Sequence, residues 1–313
     1  MLGKTAGGLY WMFRFLERSE NTARLVEAGF RIALTRSQDA DREWDSILTT
    51  AGALNAYLEQ HEMVEAAAAI NFLLRSRDNP SSVISVIESA RSNARTVRTA
   101  LTTEVWEAVN ESWMTLTDVL QRPVRESDLP RVLGMIRQQS ALVRGAMHGT
   151  MLRNDGYDFA RIGTFLERAD NTARILDVKY YTLLPSASFV GSSIDNVQWE
   201  TILRSVSAHS AFRWLGDHEM TPSAVARFLI LDRCLPRSLV FCATKLLDNL
   251  EYLADDYGVQ HTCHDMARDL KQTLVDHTIE SILDQGLHEF IGDFIARNNR
   301  LGNQIESDFR FVG

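Results

Sequence analysis

The sequence contains few of the residues that break helices and few of those that cross-link chains. It has six prolines and three cysteines in 313 residues. Proline interrupts a helix because it lacks the backbone N–H and clashes with the preceding turn. Its scarcity, together with long stretches rich in Ala, Leu, Arg and Glu, predicts a nearly all-helical chain. Cys234, Cys242 and Cys263 are odd in number and lie in the second half, which favours a reduced cytoplasm over a disulfide framework.

A basic charge balance and a long apolar run are also absent from the sequence. The formal net charge is -8, whereas binding to nucleic acid needs a basic face that neutralises phosphates. We therefore expect no nucleic-acid partner. The uncharged run from Thr5 to Phe13 is too short to span a bilayer and continues into a charged segment. We read this run as part of the first helix and expect no membrane association.

Ten residues occur twice in the chain, and the second copy begins 150 positions after the first. Residues 15–24 read FLERSENTAR, and residues 165–174 read FLERADNTAR. Eight of the ten positions are identical, and the other two exchange small for small and acid for acid. Chance does not produce such a match, so we infer an internal repeat whose preserved residues are largely polar.

The repeat extends beyond this motif. The further matches are WDSIL at 44–48 with WETIL at 199–203, and FLL at 72–74 with FLI at 228–230. The offset grows by five or six residues, and the Pro- and Ser-containing stretch 182–195 has the composition of an inserted loop. We therefore predict an all-α fold that forms one domain over residues 1–313. In this single helical bundle, two diverged repeats, 1–150 and 151–313, are related by a pseudo-twofold axis.

Prolines and capping residues place the predicted helix boundaries. Asn79-Pro80 and Thr221-Pro222 each combine an N-cap residue with a first-turn proline, so helices should begin there. The long helices are predicted at about Thr5–Ala33, Leu129–His148, Tyr157–Leu183 and Leu287–Phe309, and the second helix of each repeat begins near Trp44 and near Trp199.

Read as a helix, the first motif carries an apolar face and a polar stripe. The apolar face comprises Leu9, Met12, Phe13, Leu16, Ala23 and Val26. Glu17, Asn21 and Arg24 follow the i, i+4, i+7 rule and stack beside that face, whereas Arg18 points elsewhere. We expect the stripe to be half-buried and hydrogen-bonded, since an unpaired buried charge costs several kcal/mol.

The paired stripes leave two interpretations open. The second motif repeats the stripe as Glu167, Asn171 and Arg174. If the two helices are adjacent, Glu17 and Glu167 can approach each other and share a proton, bind a cation or grip a cationic ligand. Alternatively, Glu17 pairs with Arg174 or Arg24 and fixes the register of the two helices. Neither motif contains Glu-x-x-His, so we expect no metal.

A basic stripe occurs in the first half only. Arg91, Arg95 and Arg98 again follow the i, i+4, i+7 rule, on the helix predicted to begin at Pro80. Such a stripe is typical of an anion-binding face. A solvated helix face whose arginines pair with acids such as Glu88 explains the same spacing equally well.

Three other positions are candidates for a site or a surface pair. Arg237 and Ser238 lie at a predicted helix start, where free backbone N–H groups can hold a phosphate or a carboxylate. Asp177 belongs to a segment after the second motif that has no match in the first, and this asymmetry suggests the edge of a site. Asp284 and His288 are four residues apart, so we expect them to form a pair on a helix surface.

Together these motifs resemble the bacterial alpha-E family. The matching segments are LYW at 9–11, FLER at 15–18, ENTAR at 20–24, NPSS at 79–82, ILDVKY at 175–180 and PRS at 236–238. The resemblance covers essentially the whole chain. It implies an all-helical cytoplasmic protein, encoded beside or fused to a circularly permuted ATP-grasp ligase. A role in ATP-dependent synthesis or modification of peptide or amide bonds would follow from that context.

Two functions remain open at this point, beside a third reading as a purely structural scaffold, which would be favoured if no pocket lies near the stripe. The first is an accessory protein that binds the ATP-grasp ligase, another protein of the same pathway, a peptide or an anionic small molecule. The second is an enzyme that acts on a peptide or amide, with Glu17 and Glu167 as its candidate catalytic residues. In either case the candidate binding residues of the motifs are Arg18, Asn21, Arg24, Arg168, Asn171 and Arg174. We expect no cofactor, and a homo-oligomer stays open.

Overall fold

The structure of the chain, a computed structural model, describes residues 1–34, 40–181, 193–216 and 220–311. Every regular element in these ranges is a helix, which confirms the all-α prediction. Among the helices that the structure describes, none combines the length and the apolar composition needed to cross a bilayer. Most of the predicted insertion, 182–195, lies outside the described residues.

The described ranges contain fifteen α-helices and two short 3-10 turns. The helices of the first half are α1 (Gly3–Ala33), α2 (Ala40–Thr50), α3 (Leu54–Leu58), α4 (Ala66–Arg75), α5 (Val83–Thr96), α6 (Thr103–Val119) and α7 (Leu129–Thr150), with 3-10 turns at Arg98–Ala100 and Glu126–Asp128. The helices of the second half are α8 (Asp155–Tyr181), α9 (Ser193–Ser205), α10 (His209–Trp214), α11 (Pro222–Leu231), α12 (Leu239–Tyr257), α13 (Thr262–Asp276), α14 (Ile279–Gln285) and α15 (Leu287–Asp308).

The two motif helices, α1 and α8, pack against each other at the centre of the bundle. α5 and α7 pack on α1, and α12 and α15, which come at corresponding places in the second half, pack on α8. The second helix of each half also crosses over, because α9 packs on α1 and α2 packs on α8. Two related copies of one helical unit would produce these reciprocal contacts. The duplication and its boundaries, 1–150 and 151–313, remain predictions.

The burial of α1 follows the apolar periodicity read from its sequence. The residues of the predicted apolar face are each 2% exposed or less, namely Leu9, Met12, Phe13, Leu16, Ala23 and Val26. Burying one large apolar side chain contributes ~1.5–3 kcal/mol. Trp44 of α2 and Trp199 of α9 are buried as well, so the aromatic residue that the second helices share belongs to the hydrophobic core in both.

A close approach of α1 to α8 depends on a glycine. Gly163 of α8 stands where the first copy has Phe13, and it faces the backbone of Tyr10. A Cβ atom at Gly163 would lie 2.3 Å from the carbonyl oxygen of Tyr10 and 3.1 Å from its carbonyl carbon. Because the interior is close-packed, a side chain fits there only if the helices separate. The two motif helices therefore pack asymmetrically at this position.

The two predicted proline-containing helix starts have different outcomes. The prediction at Thr221-Pro222 is confirmed, since α11 begins at Pro222 and the Thr221 side chain caps it. The prediction at Asn79-Pro80 is wrong, because Ser82 caps α5 instead. The Asn79 side chain accepts the backbone N–H of Ser81 at 2.9 Å, and a local turn of this kind competes with helix formation.

Candidate functional site

The Glu-Arg dipeptides of the two motifs exchange partners across the contact between α1 and α8. Arg168 donates Nε to Glu17 Oε1 at 2.9 Å and Nη2 to Glu17 Oε2 at 3.0 Å. Arg18 donates in the same way to Glu167, at 2.5 Å and 3.0 Å. Bidentate pairing of guanidinium with carboxylate is stronger and more directional than a single ion pair. The crossed pairs therefore fix the register of the two helices.

The pairing predicted from the stripe does not form. Arg24 and Arg174 were the expected partners of Glu17, but each binds the acid four residues before it on its own helix. Arg18, which the spacing placed away from the stripe, reaches the neighbouring helix. Spacing along one helix shows which residues share a face, but a long arginine side chain at the edge of that face can still reach across a helix contact.

A first cluster of charges surrounds the acids of α1. It consists of Glu17, Glu20, Arg24, Arg144, Arg168 and Arg237. Both glutamates are 1% exposed. Arg144 of α7 donates Nη1 to Glu17 Oε2 at 3.1 Å and also binds Glu20. Arg237, from the turn before α12, places Nη1 3.2 Å from Glu17 Oε1 and Nη2 2.5 Å from Glu20 Oε1. Four guanidinium groups from separate parts of the chain thus hold two carboxylates.

These arginines lower the pKa values of both carboxyl groups. Burial alone would raise the pKa of Glu17, but the charges of Arg168, Arg237 and Arg144 outweigh burial and hold that pKa below its ordinary value. The pKa of Glu20 is lowered in the same way, against burial, by Arg237, Arg144 and Arg24. Both groups are therefore ionised and hydrogen-bonded at neutral pH.

A second cluster of charges surrounds the acids of α8. It consists of Glu167, Asp170, Arg14, Arg18 and Arg174. Arg14 Nε lies 3.0 Å from Glu167 Oε2, and Arg174 donates Nε to Asp170 Oδ2 at 2.6 Å. Burial alone would raise the pKa of Glu167, but Arg18 and Arg14 lower it to about 2. The second cluster therefore has the same construction as the first, with one arginine fewer.

The last arginine of each motif also caps the C-terminus of a helix in the other half. Arg24 donates Nη1 to the carbonyl oxygen of Ser205, the last residue of α9, at 2.8 Å. Arg174 donates Nη1 to the carbonyl oxygen of Thr50, the last residue of α2, at 3.1 Å. The final carbonyls of a helix have no partner within it, and a cation there complements the helix dipole. Both arginines thus join the two halves.

The motif asparagines are buried and keep an acceptor unpaired. Asn21 and Asn171 are 5% and 6% exposed. Asn21 donates Nδ2 to the carbonyl oxygen of Glu167 at 3.2 Å, which leaves Oδ1 as its acceptor. Within the part of the chain that the structure describes, no donor reaches the Oδ1 atom of either asparagine. A buried acceptor without a partner costs about 1–3 kcal/mol, so these two atoms mark a place where a donor is missing.

A cavity of about 230 Å³ lies beside the second cluster. Its polar lining comprises Arg14, Arg18, Asn21, Thr22, Asn79, Ser81, Glu167, Asp170, Asn171, Arg174 and Asn299, and its apolar lining comprises Leu25, Ala51, Ala53 and Leu73. The side chains of Arg18 and Arg174 are 25% and 32% exposed, so the cavity reaches solvent beside them. Pockets for drug-sized ligands measure about 300–1,000 Å³, and the smaller volume here suits a single side-chain-sized group.

The basic stripe of the first half does not form one face. Arg98 lies in a 3-10 turn after the end of α5 and stacks over Trp106 at 5.2 Å. Arg91 stacks over Trp113 at 4.0 Å, whereas Arg95 is exposed. The early end of α5 breaks the spacing, and the indole rings occupy two of the three guanidinium groups. These arginines lie apart from the two clusters.

The other candidate residues have structural partners. Ser238 is fully buried, and its Oγ caps α12 by accepting the N–H of Phe241 at 3.1 Å. Asp177 Oδ1 lies 2.6 Å from Nδ1 of His288. The predicted pair of Asp284 with His288 is wrong, because a break between α14 and α15 puts the two residues on different helices. In the described ranges, no three His, Cys, Asp or Glu side chains are grouped so as to hold a metal ion.

Asp158, outside both clusters, is an acid whose pKa is raised to about 6, first by burial and then by the charge of Asp256. Because the folded pKa lies above the unfolded value of 3.8, the wild type loses stability as pH rises through about 6. We expect Asp158→Asn to raise the free energy of unfolding by about 1–2 kcal/mol at pH 8, after allowance for solvent screening, and to leave it unchanged at about pH 3, below both pKa values.

Urea unfolding at the two pH values measures this effect. Asp255→Asn is the matched control, because Asp255 is exposed and lines the surface pocket that Asp158 also lines. Its stability should stay within about 0.5 kcal/mol of the wild type at both pH values. Equal stability of Asp158→Asn and wild type at pH 8 would contradict the raised pKa.

The fold and the site define an all-helical domain whose halves are joined by two crossed Glu-Arg pairs. The chain belongs to the Alpha-E family, whose model matches residues 1–309 and is described as a predicted alpha-helical domain with a conserved ER motif. The chain has this dipeptide twice, as Glu17-Arg18 and as Glu167-Arg168. The resemblance inferred from the sequence is confirmed, and the crossed pairing gives the ER dipeptide a physical role.

Three curated relatives are similar to most of the chain. They are the uncharacterized proteins Mb2597 of Mycobacterium bovis and MT2643 and Rv2567 of Mycobacterium tuberculosis. Each is 24% identical over 275 residues, and the match covers 80% of this chain and 30% of the relative. The chain therefore spans less than a third of the length of these relatives. No solved structure matches the chain.

Proposed function

We propose that this protein is a cytoplasmic, non-catalytic binding subunit of an ATP-grasp-linked system that makes or modifies peptide or amide bonds. One observation carries the proposal: arginines neutralise the motif glutamates, while the cavity beside them keeps unpaired buried acceptors. Such a cavity holds a ligand by hydrogen bonds and charge. Its glutamate, Glu167, has a pKa of about 2, which suits an ion-pair partner and not a proton donor.

The alternative, an enzyme that uses Glu17 and Glu167, has weaker support. A general acid or base works best with a pKa near the working pH, and the arginines move both pKa values away from neutrality. Each carboxylate is also held by bidentate bonds from an arginine of the other motif. A carboxylate that acted as a nucleophile would have to give up these bonds.

The link to an ATP-grasp ligase draws on the family to which the chain belongs. The resemblance implies members that are encoded beside such a ligase or fused to it. The mycobacterial relatives extend far beyond the matched 275 residues, as proteins with further domains do. We propose the ligase, or another protein of its pathway, as the partner, and a charged group of a peptide or small molecule as the ligand.

Mixing the purified protein with a circularly permuted ATP-grasp ligase of the kind that the resemblance implies tests this function. We expect a stable complex in size-exclusion chromatography with light scattering, and faster ADP release by the ligase when peptides of mixed sequence are supplied. The protein alone should leave these peptides unchanged in mass. Failure to form a complex at micromolar concentrations would contradict the proposed partner. Turnover by the protein alone, lost in Glu17→Gln and kept in Glu88→Gln, would favour the enzyme.

A further inference from the structure

The first cluster contains a side chain for which the second cluster has no equivalent. Along the sequence, Pro236-Arg237-Ser238 corresponds to Pro80-Ser81-Ser82, and in the structure Ser238 and Ser82 cap the corresponding helices α12 and α5. Arg237 is buried between the two glutamates of the first cluster. Ser81 instead lines the cavity beside the second cluster. The cavity therefore occupies the place that an arginine side chain fills in the other half.

The acids at the cavity have fewer arginine partners than their counterparts. Glu20 binds three arginines, whereas Asp170, at the same motif position, binds only Arg174 among the described residues. Glu17 likewise has three arginines within 4.0 Å and Glu167 has two. The shortfall at each acid includes the guanidinium that Arg237 supplies in the first cluster. The deficit of hydrogen-bond donors is at Asp170, which accepts from one arginine among the described residues, whereas Glu20 accepts from three.

The unpaired amide oxygens point to the same missing group. Asn21 and Asn171 both line the cavity, both are more than nine-tenths buried, and the Oδ1 atom of each has no donor among the described residues. A guanidinium carries five N–H donors and no acceptor. With five donors, against three in an ammonium, it can bind two carboxylates and two amide oxygens together, whereas an anion would leave these acceptors unpaired.

The charge balance of the second cluster is compatible with the binding of one more cation. It has three arginines and two acids, and the first cluster without Arg237 has the same balance. In the first cluster a fourth guanidinium is present nonetheless. Burial, followed by repulsion from Arg24, lowers the pKa of Arg237 to about 10, so the group remains charged at neutral pH. The same balance therefore tolerates a guanidinium in the cavity.

We propose that the cavity beside the second cluster binds the guanidinium group of an arginine side chain, with Glu167 and Asp170 as its anionic partners. Asn21 and Asn171 supply the neutral acceptors. This proposal rests on the binding role proposed above and names the chemical class of its ligand. Either an arginine residue of a peptide or the free amino acid carries this group, and the probes below separate the two.

Calorimetric titration at pH 7 with N-acetyl-L-arginine amide tests the site, because this probe carries the guanidinium and no other charge. We expect one site per chain. The citrulline analogue, which has a neutral urea group instead, should bind at least tenfold more weakly. Free L-arginine that binds tenfold more tightly than the amide would assign the site to the amino acid, and comparable affinity would assign it to a peptide residue. Equal binding of arginine and citrulline probes would overturn the proposal.

Ser81→Arg is the decisive variant, because its side chain should fill the cavity as Arg237 fills the first cluster. Binding of the arginine amide should fall at least tenfold, with the thermal midpoint unchanged or raised. Ser92→Arg adds the same charge at an exposed position of α5 and should bind like the wild type. Undiminished binding by folded Ser81→Arg, or binding of inorganic phosphate in place of the arginine probe, would overturn the proposal.

A second variant decides the matter if Ser81→Arg does not fold. Asp170→Asn removes the acid that has a single arginine partner among the described residues, and it should weaken the arginine amide at least tenfold. Unchanged affinity would contradict the site. None of these measurements includes the ligase, so failure of probe binding and failure of complex formation are distinguishable.

Discussion

Replacing Glu17 with glutamine should lower the free energy of unfolding by ~3–5 kcal/mol, the usual cost of removing one partner from a buried ion pair. Glutamine keeps the shape of the side chain but not its charge. Arg168, Arg144 and Arg237 all face this carboxylate, and they would be left with an excess of buried positive charge. Urea unfolding at pH 7 in the absence of ligands measures the effect.

A double-mutant cycle assigns this cost to the crossed pair. Glu17→Gln and Arg168→Gln should be non-additive by ~0.5–3 kcal/mol, because the two residues bind each other directly. Glu88→Gln is the control, since Glu88 pairs with Arg77 on the surface with side chains 50% and 67% exposed. Its effect should lie within about 1 kcal/mol. A stable Glu17→Gln variant would mean that this carboxylate is retained at an energetic cost for binding or catalysis.

The buried glutamates of the two clusters make stability dependent on pH. The folded pKa values of Glu17, Glu20 and Glu167 lie below the ordinary value of 4.5. Their contribution is therefore complete above about pH 4.5 and is lost as pH falls toward the folded values, about 2 for Glu167. The urea midpoint of the wild type should drop between about pH 5 and about pH 3, and that of Glu17→Gln should drop less.

Replacing Gly163 with alanine should cost about 3 kcal/mol, the upper end of what overpacking usually costs. The added Cβ atom would meet the carbonyl oxygen of Tyr10 at 2.3 Å. That oxygen belongs to the backbone of α1 and cannot rotate away as a side chain would. The two central helices must therefore separate, which also lengthens the crossed Glu-Arg bonds. Thermal and urea unfolding measure the loss.

Gly145→Ala is the matched control for this prediction. Gly145 lies inside α7, and a Cβ atom there meets nothing within 4 Å. Alanine is a better helix former than glycine, so Gly145→Ala should stabilise the chain by about 0.5–1 kcal/mol. Opposite signs at Gly163 and Gly145 would show that close approach, and not helix propensity, governs the first. A stabilising Gly163→Ala would contradict the observed helix contact.

Much of the fold could be predicted from local pattern. The apolar positions of α1 recur at helical spacing, and those positions are buried because the same spacing puts them on one face. Helix starts were harder, since Asn79 and Ser82 are both good caps and the sequence does not say which one forms a local turn. The choice depends on tertiary packing.

The candidate site could be predicted only in part. The repeated polar residues identified α1 and α8 as the helices that carry the site, because residues of a motif repeated on two helices can bind each other where those helices pack together. Partner choice was missed, since Arg18 and Arg168 reach across helices and their spacing along one helix carries no sign of it. Glu20 had a usable signal, as its motif position is acidic in both copies. Arg144 had none, because it lies more than a hundred residues from the acids it binds.

Because the Glu-Arg dipeptides exchange partners, neither half of the chain contains both members of a crossed Glu-Arg pair. Glu17 and Arg18 find their bidentate partners on α8, and the dipeptide of α8 finds its partners on α1. A cut between α7 and α8 would leave an acid and a base on each fragment, arranged to recognise the other fragment. Two identical copies of one half would satisfy the same rule. The crossed pairing within this chain thus has the form of the pairing across a symmetric dimer interface, held within one polypeptide.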